Sequence, residues 1–210
     1  MVVSLISRAL GDRTGGENDD RTTDRLLQAA LRQFELFGVA RSTVEQITKR
    51  SGLSRVTLYR RFPGKQQVVE AVILREVRQF LDRLDERLDQ LSTPEEKVAE
   101  GFVFTVDAIR SHVLLNRLLE SEPESVLPYF TVEGGPVVAA ARDFLVARAA
   151  KDNPNDARGC TELAVAAELV VRLVISFLLT PDSIVDLDDP DRAREFASRS
   201  LAPLLRGEGS

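Results

Sequence analysis

Cysteine and histidine are almost absent from this 210-residue chain, which holds one of each, Cys160 and His112. A lone cysteine cannot close an internal disulfide, and the pair cannot assemble a four-ligand Cys/His zinc site, so neither metal nor cofactor is expected. Tryptophan is missing and aromatics make up only 6% of residues. No stretch alternates apolar and polar residues over strand length, which removes the signature of a half-buried sheet. A Gly-rich phosphate loop opening a helix, a His-Glu-x-x-His and a Cys/His nucleophile pair are all missing, so an enzyme is not expected. The first residues, MVVSLISRALGDR, lack a basic stretch before their apolar run and a small-residue cleavage site after it, so no export signal is expected and the cytoplasm is the natural compartment. The most apolar run, Leu163–Leu179, carries Glu168 and Arg172. Each charge near a bilayer centre would cost about 2.5–3.5 kcal/mol, so the run reads as a buried helix and no membrane partner is expected.

What is present is Leu, Ala and Val at helical spacing, enough for one or two domains. Residues 11–20, GDRTGGENDD, have no apolar anchor and read as part of a flexible arm over 1–20. Leu26, Leu27, Ala30, Leu31, Phe34 and Phe37 recur at three and four and mark a helix that Gly38 stops. Ser42 with Glu45 matches a capping box for a second helix to about Arg50. Gly52 supplies a tight turn, and Ser54 caps a third helix that Pro63-Gly64 ends. From Lys65, the residues Val69, Ile73, Val77, Phe80, Leu84, Leu88 and Leu91 predict one long helix. Thr93-Pro94-Glu95-Glu96 opens the next, to about Ser111. Further helices are expected at about Val113–Ser121, Pro136–Lys151, Thr161–Thr180 and Pro190–Leu205, with Pro203 bending or ending the last one.

Charge is unevenly spread along this sequence. The net charge is −5 overall, yet residues 21–65 hold ten Lys or Arg against the three acids Asp24, Glu35 and Glu45, a local net of +7 that leaves −12 on the rest. Such a split suits a polyanion-binding surface at one end of an acidic body; a chance cluster on a solvated face is the bland alternative. Ser42–Phe62 reads as helix, Gly-containing turn and helix, with Ile47, Leu53 and Leu58 as apolar pins. The other positions on the second of these helices, Arg55, Val56, Thr57, Tyr59, Arg60 and Arg61, are short or cationic side chains able to reach base edges or phosphates in a major groove.

The run TVEQITKRSGLSRVTLYRRFPGK, Thr43–Lys65, resembles the DNA-binding signature of the TetR family, with its Gly turn, Thr-Leu-Tyr, Phe-Pro and the Lys that opens helix four. The match extends residue by residue over 22–75, and beyond that only the helical plan is similar. Two positions depart from the pattern: Thr48 stands where Ala is usual, and Arg61 where an aromatic is frequent. The resemblance implies an all-α fold of about nine helices, a three-helix helix-turn-helix domain over 21–66 and an effector-binding and dimerisation bundle over 67–210. It implies phosphate contacts from Thr43, Tyr59 and Lys65 and base-facing roles for Arg55, Val56, Thr57 and Arg60, with Ser54 and Arg61 beside them. Gly64-Lys65 at a helix start also offers free N–H groups to a phosphate.

By the same resemblance the chain is a homodimer joined through its last two helices, about 161–180 and 190–205, on a palindromic double-stranded DNA operator, and is released by a small, mostly apolar effector. The final helix carries a stripe of Ala193, Phe196, Ala197, Leu201, Leu204 and Leu205 that suits a core or an interface equally. Candidate pocket residues are Phe102, Val106, Ile109, Leu118, Tyr129, Phe130, Phe144 and Phe177, with Asp107 and Arg172 as polar groups able to orient a ligand; plain core is the alternative for each apolar one. An activator, a regulator answering to a protein partner, and a helical enzyme or carrier without DNA remain the rival readings.

Overall fold

A computed structural model describes residues 20–152 and 160–206, and among these no strand forms. The lead-in before residue 20 lies outside them. The helices are α1 Asp20–Phe37, α2 Val44–Ser51, α3 Arg55–Arg61, α4 Lys65–Asp89, α5 Pro94–Arg110, α6 Val113–Ser121, α7 Leu127–Phe130, α8 Gly135–Asp152, α9 Cys160–Leu179, α10 Pro190–Phe196 and α11 Ala202–Arg206. A 3-10 turn, Pro123–Ser125, precedes α7, and a π turn, Ala197–Leu201, joins α10 to α11. The sequence pattern did not mark the Pro123–Phe130 turns, which are too short to show a period.

Three local expectations change. The box that opens α2 is Thr43 with Gln46, one residue later than Ser42 with Glu45. Ser42 is instead buried, its hydroxyl donating to Gly38 O at 2.6 Å and so satisfying the end of α1. Pro203 does not end the last helix. The π turn ahead of it bonds Ala202 N–H to Ala197 O, five residues back, and helical winding resumes through Arg206. Phe37 is exposed although it keeps the spacing of α1's core face.

The described chain packs as two compact units, one of residues 20–79 with 112–133 and one of 80–111 with 134–206. The first is built on Leu26, Leu27, Ala30 and Phe34 of α1, Ile47 of α2, Leu58 of α3, Val68 and Val72 of α4, and Leu114 and Leu118 of α6. Along α4 the fully buried residues are therefore Val68 and Val72, one position before the Val69 and Ile73 of the sequence pattern. The sequence placed α6 and α7 with the body; the packing places them with α1–α3.

The second unit is held differently. Its core joins Ala99, Phe102 and Val106 of α5 to Val170 of α9, Leu187, and Ala193, Ala197 and Leu201 of the last helix. Small residues on α10 let it lie close against α5, and Phe102, Phe177 and Phe196 fill the remaining space with ring centroids 5.7 to 6.3 Å apart. Arg148 on α8, only 7% exposed, reaches Asp89 at 2.6 Å, Asp85 at 3.3 Å and Asp152 at 3.4 Å, tying α8 to the last turns of α4. The Asp89 carboxyl sits below its ordinary range because it accepts a hydrogen bond from Arg148.

Candidate nucleic-acid interface

The basic segment forms a helix-turn-helix whose every turn has an identifiable cause. Gly38 ends α1 with φ +79°, and Gly52 ends α2 with φ +68°, conformations that an L side chain rarely adopts. Gly52 N–H donates to Thr48 O, the usual closure of a left-handed helix cap. Thr43 accepts from Gln46 N–H at 3.3 Å while the Gln46 side chain accepts Thr43 N–H at 2.9 Å. Thr48 is buried, yet its hydroxyl donates to Glu45 O at 3.0 Å. The departure from alanine therefore leaves this buried hydroxyl satisfied. Arg25 donates to Ser51 O at 3.0 Å and Arg50 to Gln33 Oε1 at 3.1 Å, tying the last turn of α2 to two points along α1.

Helix α3 is pinned by one side chain, the fully buried Leu58. Around it, Val56 is 77% exposed and Tyr59 52% exposed, and Arg55 and Arg60 are exposed as well. An exposed valine and a half-exposed tyrosine contribute little to the packing of a seven-residue helix. Ser54 caps α3 through Thr57 N–H at 3.0 Å, and the two hydroxyls share a hydrogen bond at 2.9 Å. Arg55 pairs with Glu45 at 2.5 Å, a partner the sequence reading missed because nothing local links the two positions.

The other site residues divide. Lys65, at the start of α4, donates from Nζ to Ala40 O at 3.1 Å, which fixes it beside the α1–α2 turn. Arg61 does not point outward with its neighbours. It is half-buried and donates to Thr23 Oγ1 of α1 at 2.7 Å, because its position on α3 follows the core face rather than the exposed one. Its guanidinium is thus held at the contact of α3 with α1.

The candidate pocket residues also divide. Phe102, Val106 and Phe177 come together in the second unit's core, Ile109 and Phe144 are half-buried elsewhere in that unit, and Asp107 is exposed. Leu118 is core of the first unit, beneath α1–α4, and Tyr129 and Phe130 lie half-buried on α7 of that same unit. Arg172 is exposed and binds Glu168 at 2.8 Å, and Glu168 also meets Arg142 at 3.3 Å. These charges line a groove of about 330 Å³ between α8 and α9, with Thr161, Ala164, Val165 and Leu169 as its other walls. Among the described residues no His, Cys, Asp and Glu cluster could hold a metal ion, and no helix is long and apolar enough to cross a membrane.

An all-helical chain with a basic, outward-facing helix-turn-helix defines a DNA-binding protein, and the comparisons specify which kind. The family model for bacterial regulatory proteins of the tetR family matches residues 26–72, and the model for the bacterial tetracyclin repressor C-terminal domain matches residues 94–199. The chain belongs to the TetR family of transcriptional regulators. It is 28% identical over 171 residues to the HTH-type transcriptional regulator Rv2250c of Mycobacterium tuberculosis, covering 79% of this chain and 86% of that one. It is 36% identical over 90 residues to the HTH-type transcriptional repressor KstR2 of Mycolicibacterium smegmatis, covering 41% of this chain and 42% of that one. Among solved structures the fold matches the TetR family repressor AlkX from Dietzia sp., implicated in n-alkane biodegradation, with TM-score 0.65 and 22% identity over 92% of this chain and 98% of that one. It also matches the fatty acid degradation regulator FadR from Bacillus halodurans, with TM-score 0.55 and 16% identity over 92% and 97%.

Proposed function

We propose that this regulator is a repressor that binds a palindromic operator as a homodimer and is released by a small, mostly apolar ligand. The observation that carries the DNA half of this reading is the outward row on α3. Arg55, Val56 and Arg60, with Thr57 beside them, are the base-facing set, while Tyr59, Lys65 and Thr43 meet phosphates and fix the register. Arg55 must exchange Glu45 for a base edge. Both partners are largely exposed, and an exposed ion pair is worth only about 0–1 kcal/mol, so the exchange is cheap.

For the dimer, Ala193, Ala197 and Leu201 of the stripe on the last helix are buried within the chain and leave little of it for a partner. What remains for a second copy is the face of α9 that exposes Val165 and Leu169 beside Glu168 and Arg172, together with Leu204 of α11. Apolar side chains flanked by charges are the usual make-up of a self-complementary interface. For the ligand, the aromatic and aliphatic cluster of Phe102, Val106 and Phe177 is the part of the expected pocket set that comes together, and it suits a mostly apolar compound. Two fold neighbours are named for alkane and fatty acid degradation, which makes such chains the first compounds to try.

The test is binding of the full chain to the DNA upstream of its own gene and neighbouring genes, titrated at several salt concentrations. The expected result is tight, sequence-dependent binding that falls steeply with salt and is reversed by an alkane or fatty acid of suitable length. Absence of specific binding at all of these promoters sinks the repressor reading. Binding that no apolar compound reverses sinks the ligand half alone.

A further inference from the structure

Glu122 ends α6 and, 82 residues away in sequence, also holds the turn between α1 and α2. Both of its carboxylate oxygens accept the Ala40 N–H at 3.2 Å, and the carbonyl of the same Ala40 accepts Lys65 Nζ at 3.1 Å. A single exposed residue of the turn thus connects an acid on α6 to the cation that opens α4. Ala40 itself has no burial to hold it in place.

The surroundings are built for this contact. Gly38 has φ +79°, a conformation that L side chains rarely adopt, and a Cβ there would lie 2.3 Å from Glu122 Oε1, so a side chain at this position would push the carboxylate aside. Glu122 is fixed by its own backbone: its N–H donates to Leu118 O at 2.9 Å, and its carbonyl accepts Ser125 N–H at 2.9 Å and the Ser125 hydroxyl at 2.6 Å. Leu114 and Leu118 anchor α6 in the core shared with α1–α4, and Val126 packs against it just beyond Glu122. The carboxylate therefore comes from a rigid base, and it meets the exposed middle of a turn whose two ends, Gly38 and Ser42, are buried.

We propose that Glu122 is a positioning residue for DNA binding, holding the α1–α2 turn so that Ala40 O presents the Lys65 ammonium to the phosphate backbone. This rests on the phosphate role of Lys65 given above. A charge held at its point of use loses less freedom on binding than one that must be ordered at that moment. The same link makes the end of α6 a place where any rearrangement of α6 is felt first at a phosphate contact.

The test is a double-mutant cycle on the full chain with a random-sequence DNA duplex, since a phosphate contact acts on every sequence. Glu122→Ala should weaken binding about fivefold and make the salt dependence shallower, as Lys65→Ala does, and the double variant should bind no more weakly than Lys65→Ala alone. Glu122→Gln, whose amide oxygen can accept the Ala40 N–H, should recover most of the affinity. Glu122→Asp should fall between and replaces the alanine variant if that one melts. On the free proteins, amide exchange at Ala40 should quicken in Glu122→Ala and not in Glu122→Gln. Additive losses, no rescue by Gln, or unchanged exchange at Ala40 would each overturn the positioning role while leaving Lys65 intact. If Lys65→Ala changes neither affinity nor salt dependence, the phosphate role itself fails and this role with it.

Discussion

The two compact units are stabilised by different means. The DNA-reading unit is shaped by local devices: two left-handed glycines, capping side chains at Thr43 and Ser54, and one buried anchor for each short helix. The second unit depends on long-range ones, in which Ala193 of α10 and Ala197 of the π turn pack against α5 and Arg148 gathers three aspartates from α4 and α8. A short helix is marginal alone, so a reading head made of short helices needs caps and pins to have a defined angle. A body of long helices keeps its helicity easily and needs side chains that fix how the rods meet.

That contrast can be broken from either side. The largest effect expected is from Phe34→Ala, which empties the centre of the first core and should cost about 3–5 kcal/mol in denaturant unfolding, with loss of DNA binding. A loss below about 1 kcal/mol would show that α1 is not the spine of the head. Arg148→Met should cost about 2–3 kcal/mol, less than a fully buried pair because Asp89 is half exposed, and should leave the head's own transition unchanged if the two units unfold separately. Its acid response carries a sign as well. The folded Asp89 carboxyl lies below its ordinary 3.8, so its stabilisation is complete above that value and lost as pH falls through the folded one. The variant should therefore lose less stability than the parent over that acid range, and equal losses would remove Arg148 as the cause. The smallest effect is Thr43→Ala, about 1 kcal/mol by thermal melting, through loss of the α2 cap. No change there would return the capping role to Ser42.

The head was legible because its determinants are local. Gly52, Ser54 and Leu58 announce turn, cap and anchor within a few residues of where they act. Even so, the sequence pattern assigned the cap to Ser42, one residue before the Thr43 that supplies it. Only the third dimension shows that the carbonyls ending α1 claim the first hydroxyl and leave α2 the second. Arg61 misled for a related reason: a cation beside Arg60 on a seven-residue helix looks exposed until the neighbouring helix is in place. Glu45 with Arg55 and Glu122 with Ala40 were invisible, since neither pairing has a periodic or spacing signal. In the body the helices were readable from their caps and prolines, but their burial was not. The stripe on the last helix suits core and interface equally, and it took the position of α5 to assign Ala193, Ala197 and Leu201 to the core. Leu118 was assigned to a ligand pocket from sequence order alone, whereas α6 packs beneath the DNA-reading helices.

The π turn at Ala197–Leu201 bears on that assignment through angular phase. In an α-helix each step of four residues overshoots a full turn by about 40°, so a row of small residues at that spacing drifts around the rod. A turn closed by a bond from five residues back takes in one more residue and unwinds that drift. Ala193, Ala197 and Leu201 therefore lie along a nearly straight line facing Ala99, Phe102 and Val106, where an uninterrupted α-helix would have carried Leu201 toward the flank.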